Sequence, residues 1–100
     1  IGKELSVEQG QQAAKLCAIN IISQAKKAVN NDLDKIKNCV KITGYVNSSD
    51  DFTQQPQIIN PASELLSSLF GEIGKHTRAA VSVNSLPLGA AVEIDCIFEV

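Results

Sequence analysis

The sequence predicts an α+β fold in which two helices pack on one face of a mixed β-sheet. Three observations carry this. In two segments apolar residues recur at steps of three and four, as on one face of an α-helix. In three others they alternate with polar residues, as on a strand. The order of these segments is helix, strand, helix, strand, strand, and the chain has 100 residues. A chain of that size buries roughly 60–70% of its unfolded surface, enough for one core. Residues 1–100 are therefore read as a single domain.

The first helix opens at Ser6, where Gln9 completes a capping box, S-x-x-Q. Ala14, Ala18, Ile21, Ala25 and Val29 form its apolar face, widened by Cys17 and Ile22. Asn30-Asn31-Asp32 ends it, and residues 32–38 are expected to make a short turn of helix. The first strand is Cys39 to Asn47, "CVKITGYVN". Alternation puts Val40, Ile42 and Val46 on one face, and Lys41, Thr43 and Tyr45 on the other. "SSDDFTQQPQI" is polar and contains a proline, so it reads as a loop.

The second helix is expected to open at Asn60-Pro61, with asparagine at the N-cap and proline at the first helical position. Its apolar face is Ala62, Leu65, Leu66, Leu69, Phe70 and Ile73, and Gly74 is the expected cap. Ala79 to Ser85 is the second strand, "LPLG" a turn, and Ala90 to Val100 the last strand. In that strand Val92, Ile94, Cys96, Phe98 and Val100 point one way, and Glu93, Asp95 and Glu99 the other. Two helices cover only one face of the sheet. The other carries Lys41, Thr43, Tyr45, Glu93, Asp95 and Ile97, and a face so mixed is either wet or an oligomer interface.

Composition excludes several classes. Net charge is −2, there is no basic run and there are only four aromatic residues. Neither the electrostatic footprint nor the stacking platform of a nucleic-acid binder is present. No apolar run approaches the ~20 residues that span a bilayer, and no signal peptide is visible. Cys17, Cys39 and Cys96 are odd in number and form no CxxC pair. The expectation is buried thiols in a reducing compartment, the cytoplasm, with neither a disulfide framework nor a zinc site. The chain lacks methionine and opens Ile-Gly-Lys-Glu-Leu, so it is read as a piece of a longer or processed product.

Familiar catalytic signatures are missing. His76 is the only histidine and reads as a surface residue, so no Ser-His-Asp or Cys-His set can be assembled. The phosphate-loop and dinucleotide glycine patterns do not occur. What stands out is the closing stretch, "HTRAAVSVNSLPLGAAVEIDCIFEV", residues 76–100. Arg78 sits just ahead of a strand, and Glu93 and Asp95 lie two apart in the next. If those strands form a hairpin, the start of the first faces the end of the second. Arg78 and Glu93 then need not touch within one subunit. Arg78 is either a solvated arginine at a strand edge or a residue that meets Glu93 across a subunit boundary or a shared cleft.

This closing stretch resembles the C-terminal signature of the Rid family of reactive intermediate deaminases, also called the YjgF family. That signature is R-[SA]-x-V-x-V, then L-P-x-G, then V-E-[IV]-[ED]-x-I. Here it reads Arg78-Ala79-Ala80-Val81-Ser82-Val83, Leu86-Pro87-Leu88-Gly89 and Val92-Glu93-Ile94-Asp95-Cys96-Ile97. Upstream, "GYVNSSDDF" and "IINPASELLSSLFG" follow the same order, and the resemblance spans essentially the whole chain. It implies a chorismate-mutase-like fold and a homotrimer whose clefts lie between subunits. It implies hydrolysis of amino-acid-derived enamines or imines to 2-keto acids and ammonia, with no cofactor and no metal. Arg78 would grip the substrate carboxylate, Glu93 would activate water or move a proton, and Asn60 would line the cleft. A non-catalytic trimer that holds a keto acid is the alternative, and RNA cleavage fits the acidic composition poorly. Ala79 stands where many members have Ser, Ala80 where some have Cys, and "SLPLG" replaces the commoner "LPKG". The family's N-terminal strand hairpin is not among these 100 residues, so it is expected either in sequence outside them or to be missing from the cleft.

Overall fold

A computed structural model of the protein describes residues 6–49, 51–71 and 76–100. Helix α1 runs Val7–Ala28. The predicted capping box starts it: the Gln9 N–H donates to Ser6 Oγ at 3.2 Å, and the Ser6 N–H donates to Gln9 Oε1 at 2.9 Å. Two N–H groups at the helix start thereby find partners. Gly10, Ala14 and Ala18 are buried, and the missing Cβ of the glycine and the single methyl groups of the alanines let neighbouring elements approach closely. Past the helix, Asn30 and Asn31 adopt φ of 56° and 65°. That left-handed region suits asparagine better than most residues. The short turn expected next is a 3-10 turn, Leu33–Lys35, opened by Asp32 accepting from the Asp34 N–H.

Strand β1, Asn38–Asn47, is the centre of a three-stranded sheet. Strand β2, Thr77–Val83, pairs with it in parallel on one side, and strand β3, Val92–Glu99, pairs antiparallel on the other. The last two strands are therefore not the hairpin that their sequence suggests. The chain turns through a 3-10 turn at Pro87–Gly89 and crosses the end of β1. Asn47 fastens that crossing. Its N–H donates to the Ala91 carbonyl at 2.9 Å and its Nδ2 to the Ala90 carbonyl at 3.2 Å.

Alternation along β1 breaks at a bulge. Cys39 pairs with Phe98 and Lys41 with Ile97, so Val40 has no partner in β3. This corrects the predicted face: Val40 is 43% exposed, while Cys39, at 1%, joins Ile42 and Val46 in the core. An extra residue in one strand of an antiparallel pair resets which side chains point inward.

Helix α2 runs Gln55–Phe70, which corrects its expected start at Asn60. Pro56 takes the early-helix proline position, and Pro61 lies inside. The extra turn of helix buries Ile58 and Ile59 completely, alongside Ala62 and Leu66. Proline has no N–H, so Pro61 leaves the carbonyl four residues back without its helical donor. That carbonyl belongs to Gln57, and Gln11 Nε2 of α1 donates to it at 2.9 Å. Gly71, at φ 62°, follows the helix and donates its N–H to the Ser67 carbonyl. Leu69, expected on the apolar face, is 50% exposed. The expected Ile73 contact and Gly74 cap lie outside the described residues.

Both helices lie on one face of the sheet, as predicted. Cys39, Ile42, Val46, Ile58, Ile59 and Leu66 are the largest fully buried side chains. Gly44 faces α2 so closely that a Cβ there would stand 2.5 Å from Ile59 Cδ1. Among the described residues no helix covers the opposite face. Register sets Val81, Tyr45 and Glu93 in one row across it, Ala79, Thr43 and Asp95 in the next, and Thr77, Lys41 and Ile97 in a third. Val81 and Ile97 are 44% and 56% exposed there.

Candidate functional site

Arg78 is the second residue of β2 and pairs with Ile42, so it points to the helix side of the sheet. Its Nη1 donates to Asn60 Oδ1 at 2.6 Å and to Ser63 Oγ at 3.4 Å. The first is a short, charge-assisted bond, which fixes the guanidinium plane. A guanidinium carries five N–H donors, and Nη1 supplies both of these contacts. Two residues singled out in the sequence, Arg78 and Asn60, are thus brought together. Asn60 is in the second turn of α2 rather than at its N-cap, and the earlier start of the helix aims its side chain at β2.

The sequence reading missed the rest of this site. Arg78 lines an open cleft of about 410 Å³ with Ser63, Ser67 and His76. His76, read as a surface residue, is half-buried, and its Nε2 lies 3.1 Å from Ser63 Oγ. A signal did exist. Asn60, Ser63 and Ser67 stand at i, i+3 and i+7 in an otherwise apolar helix, which is a polar stripe along one face.

Glu93 is elsewhere. It pairs with Tyr45 on the helix-free face of β3, while Arg78 is on the helix side of β2, with β1 between them. One chain does not bring the two together. Glu93 instead borders a second groove of about 500 Å³ between α1 and β3, lined mainly by apolar groups such as Ile21, Ala25, Ile94 and Phe98. Cys17 and Cys96 also line it. Burial pushes the Cys17 thiol up, helped by the Glu93 charge and opposed by a hydrogen bond to its backbone. Burial pushes Cys96 up to about 12, and the nearby Cys39, 3.6 Å away, and Asp95 add to the effect. Cys39 is raised by burial as well. Thiols so held stay protonated at neutral pH and are poor nucleophiles. Among the described residues no cluster of three or more histidine, cysteine or acidic groups could hold a metal ion, and no helix is long and apolar enough to cross a membrane.

Comparison with known proteins agrees with this architecture. Residues 1–99 match the family described as YjgF/chorismate mutase-like, putative endoribonuclease. The chain is 48% identical over 100 residues to Protein TCP17 of Trypanosoma cruzi, covering 99% of this chain and 62% of that protein. It superposes with a TM-score of 0.97 on Atu1372, a protein of unknown function from Agrobacterium tumefaciens, at 47% identity, covering 100% of this chain and 64% of that one. A protein from Shewanella oneidensis described as a putative endoribonuclease aligns at 29% identity and a TM-score of 0.93, covering 99% of this chain and 65% of that one. The chain thus spans less than two thirds of each of these relatives. With the arginine signature, the helix-covered mixed sheet and the match over residues 1–99 in agreement, the chain belongs to the YjgF/chorismate mutase-like family.

Proposed function

We propose that the protein hydrolyses 2-imino acids derived from amino acids, at the cleft built around Arg78. The observation that carries this reading is the Arg78–Asn60 bond of 2.6 Å. It holds the guanidinium through Nη1 and leaves the edge formed by Nε and Nη2 to meet a carboxylate bidentately. An imine carbon is already electrophilic, so the reaction needs no protein nucleophile. Water adds its oxygen to that carbon as the C=N π bond closes onto nitrogen, which takes a proton. The hydroxyl of the resulting carbinolamine then gives up its proton and closes to C=O, nitrogen takes a second proton, and the C–N bond breaks to release ammonia and the 2-keto acid. The protein's part is to hold the carboxylate, orient the water and move protons.

Glu93 is the candidate for moving those protons, and it would do so from a neighbouring subunit. The helix-free sheet face supports this. Val81 and Ile97 are half-exposed there among Tyr45, Thr43 and Asp95, and a homotrimer packed through such faces would carry Glu93 of one chain toward Arg78 of the next. Free thiols at Cys17, Cys39 and Cys96 suit a reducing compartment such as the cytoplasm.

One feature favours a second reading. Among the described residues of a single chain, those lining the Arg78 cleft include a carboxylate grip and no carboxylate. A trimer that binds a keto acid without turning anything over would look the same. RNA cleavage draws no support from a net charge of −2 and four aromatic residues. The reading is tested by generating a 2-imino acid in situ with an amino-acid oxidase and following its loss. Decay faster than in protein-free buffer supports hydrolysis, and decay at the buffer rate rules it out.

A further inference from the structure

We infer that Ser63, held by His76, is a second recognition point of the Arg78 cleft, and that the protein prefers 2-imino and 2-keto acids with a polar, acceptor-bearing side chain over aliphatic ones. This rests on the reading of Arg78 as the carboxylate grip and deepens it.

Each described residue that lines the cleft carries a hydrogen-bonding group, Ser63, Ser67, His76 and Arg78, set among the carbon atoms of the same side chains and backbone. An aliphatic side chain docked there would displace water from hydroxyl and imidazole groups and offer them nothing in return, which is unfavourable. The mainly apolar groove lies elsewhere, between α1 and β3, and is lined by none of the four cleft residues. A ligand held by Arg78 therefore meets hydrogen-bonding groups first.

Ser63 is placed to be the discriminating one. Its Oγ accepts from Arg78 Nη1 at 3.4 Å and lies 3.1 Å from His76 Nε2. With Nε2 protonated, both neighbours donate to Ser63, and its own O–H must point elsewhere. In that tautomer the hydroxyl is available to donate to a ligand in the open cleft. Ser67, one helical turn on, is exposed on the same wall. A second carboxylate, or a hydroxyl or amide oxygen, two or three carbons from the first carboxylate is the acceptor that such donors fit. Sites that hydrogen-bond a substrate group reject analogues lacking it far more strongly than apolar pockets reject a missing methylene.

The test is a binding titration, which reads recognition whether or not turnover occurs. 2-Oxoglutarate and 4-methyl-2-oxopentanoate are titrated separately into the intact protein, Ser63→Ala and Ser67→Ala, with affinity read by calorimetry and fold by circular dichroism. The intact protein is expected to bind 2-oxoglutarate at least about tenfold more tightly. That ratio is expected to fall toward one in Ser63→Ala, and partway in the exposed Ser67→Ala if the first variant folds poorly. Equal affinities in the intact protein, or a ratio unchanged in both folded variants, overturn the inference and leave the Arg78 grip standing. Failure of both acids to bind overturns the Arg78 reading itself.

Discussion

Gln11 Nε2 donates to the Gln57 carbonyl, the one that Pro61 leaves without a helical N–H donor. A side chain of α1 thus repairs a defect in α2, and the repair lets α2 start at Gln55 and run through Pro61 to Phe70. Asn60 and Ser63 flank the repaired turn, so the angle at which they meet Arg78 depends on it. Gln11→Ala is expected to cost about 0.5–1 kcal/mol of unfolding free energy, the net worth of one hydrogen bond. In a Pro61→Ala background, where residue 61 supplies the N–H itself, the same change is expected to cost almost nothing. Denaturant unfolding of the four proteins in this cycle measures the coupling, and additive effects would mean that Gln11 does not serve the Pro61 gap.

The sheet and α2 approach each other closely at Gly44. A Cβ at this position would lie 2.5 Å from both Ile59 Cγ1 and Cδ1, and Ile59 is fully buried. Gly44→Ala is expected to destabilise by about 1–3 kcal/mol through overpacking. Ile59→Ala should cost less in that background than alone, because the smaller side chain relieves the clash. Thermal unfolding of the two single variants and the double variant checks both expectations.

The thiols set an alkaline limit. Burial and the neighbouring Cys39 and Asp95 push Cys96 from 9.0 up to about 12. The folded chain keeps this proton while the unfolded chain releases it, so the unfolded state binds fewer protons between those values. Stability therefore falls as pH rises through the window from 9.0 to about 12. Cys96→Ala should make that fall shallower, as read from melting temperature against pH. An unchanged slope would assign the alkaline loss to other groups.

The helix-free face gives a prediction about assembly. Ile97 is 56% exposed in the row that also holds Thr77 and Lys41. If trimers form through this face, Ile97→Glu should convert them to monomers with the fold intact, since an unpaired charge is costly in a buried interface. Sedimentation velocity reads the state directly. Trimers that persist in Ile97→Glu would move the interface elsewhere.

Much of this was legible in the residues. The capping box at Ser6 and Gln9, the double-asparagine stop and the acid-bearing alternation of β3 are local signals, and each appears where expected. The start of α2 was hidden because an interior proline normally breaks a helix, and the group that compensates, Gln11, is 46 residues from Gln57. Val40 was assigned to the wrong face because a bulge is a property of a strand pair, and periodicity within one strand does not reveal it. The placement of β1 between β2 and β3 was equally non-local. In the candidate site, Arg78 was singled out by its signature, whereas His76 became informative only when the fold set it against Ser63.

The most direct measurement is the decay of a 2-imino acid made in situ, run with intact protein, Arg78→Lys and Arg78→Ala, with oligomer size checked on the same samples. Arginine presents a planar fork of donors to a carboxylate and lysine a single point charge. The intact protein should accelerate decay, while both variants should lose at least about 100-fold in kcat/KM, equivalent to about 2.7 kcal/mol of transition-state stabilisation, and keep the same assembly. Undiminished activity in a folded Arg78→Ala variant would contradict the account at its centre.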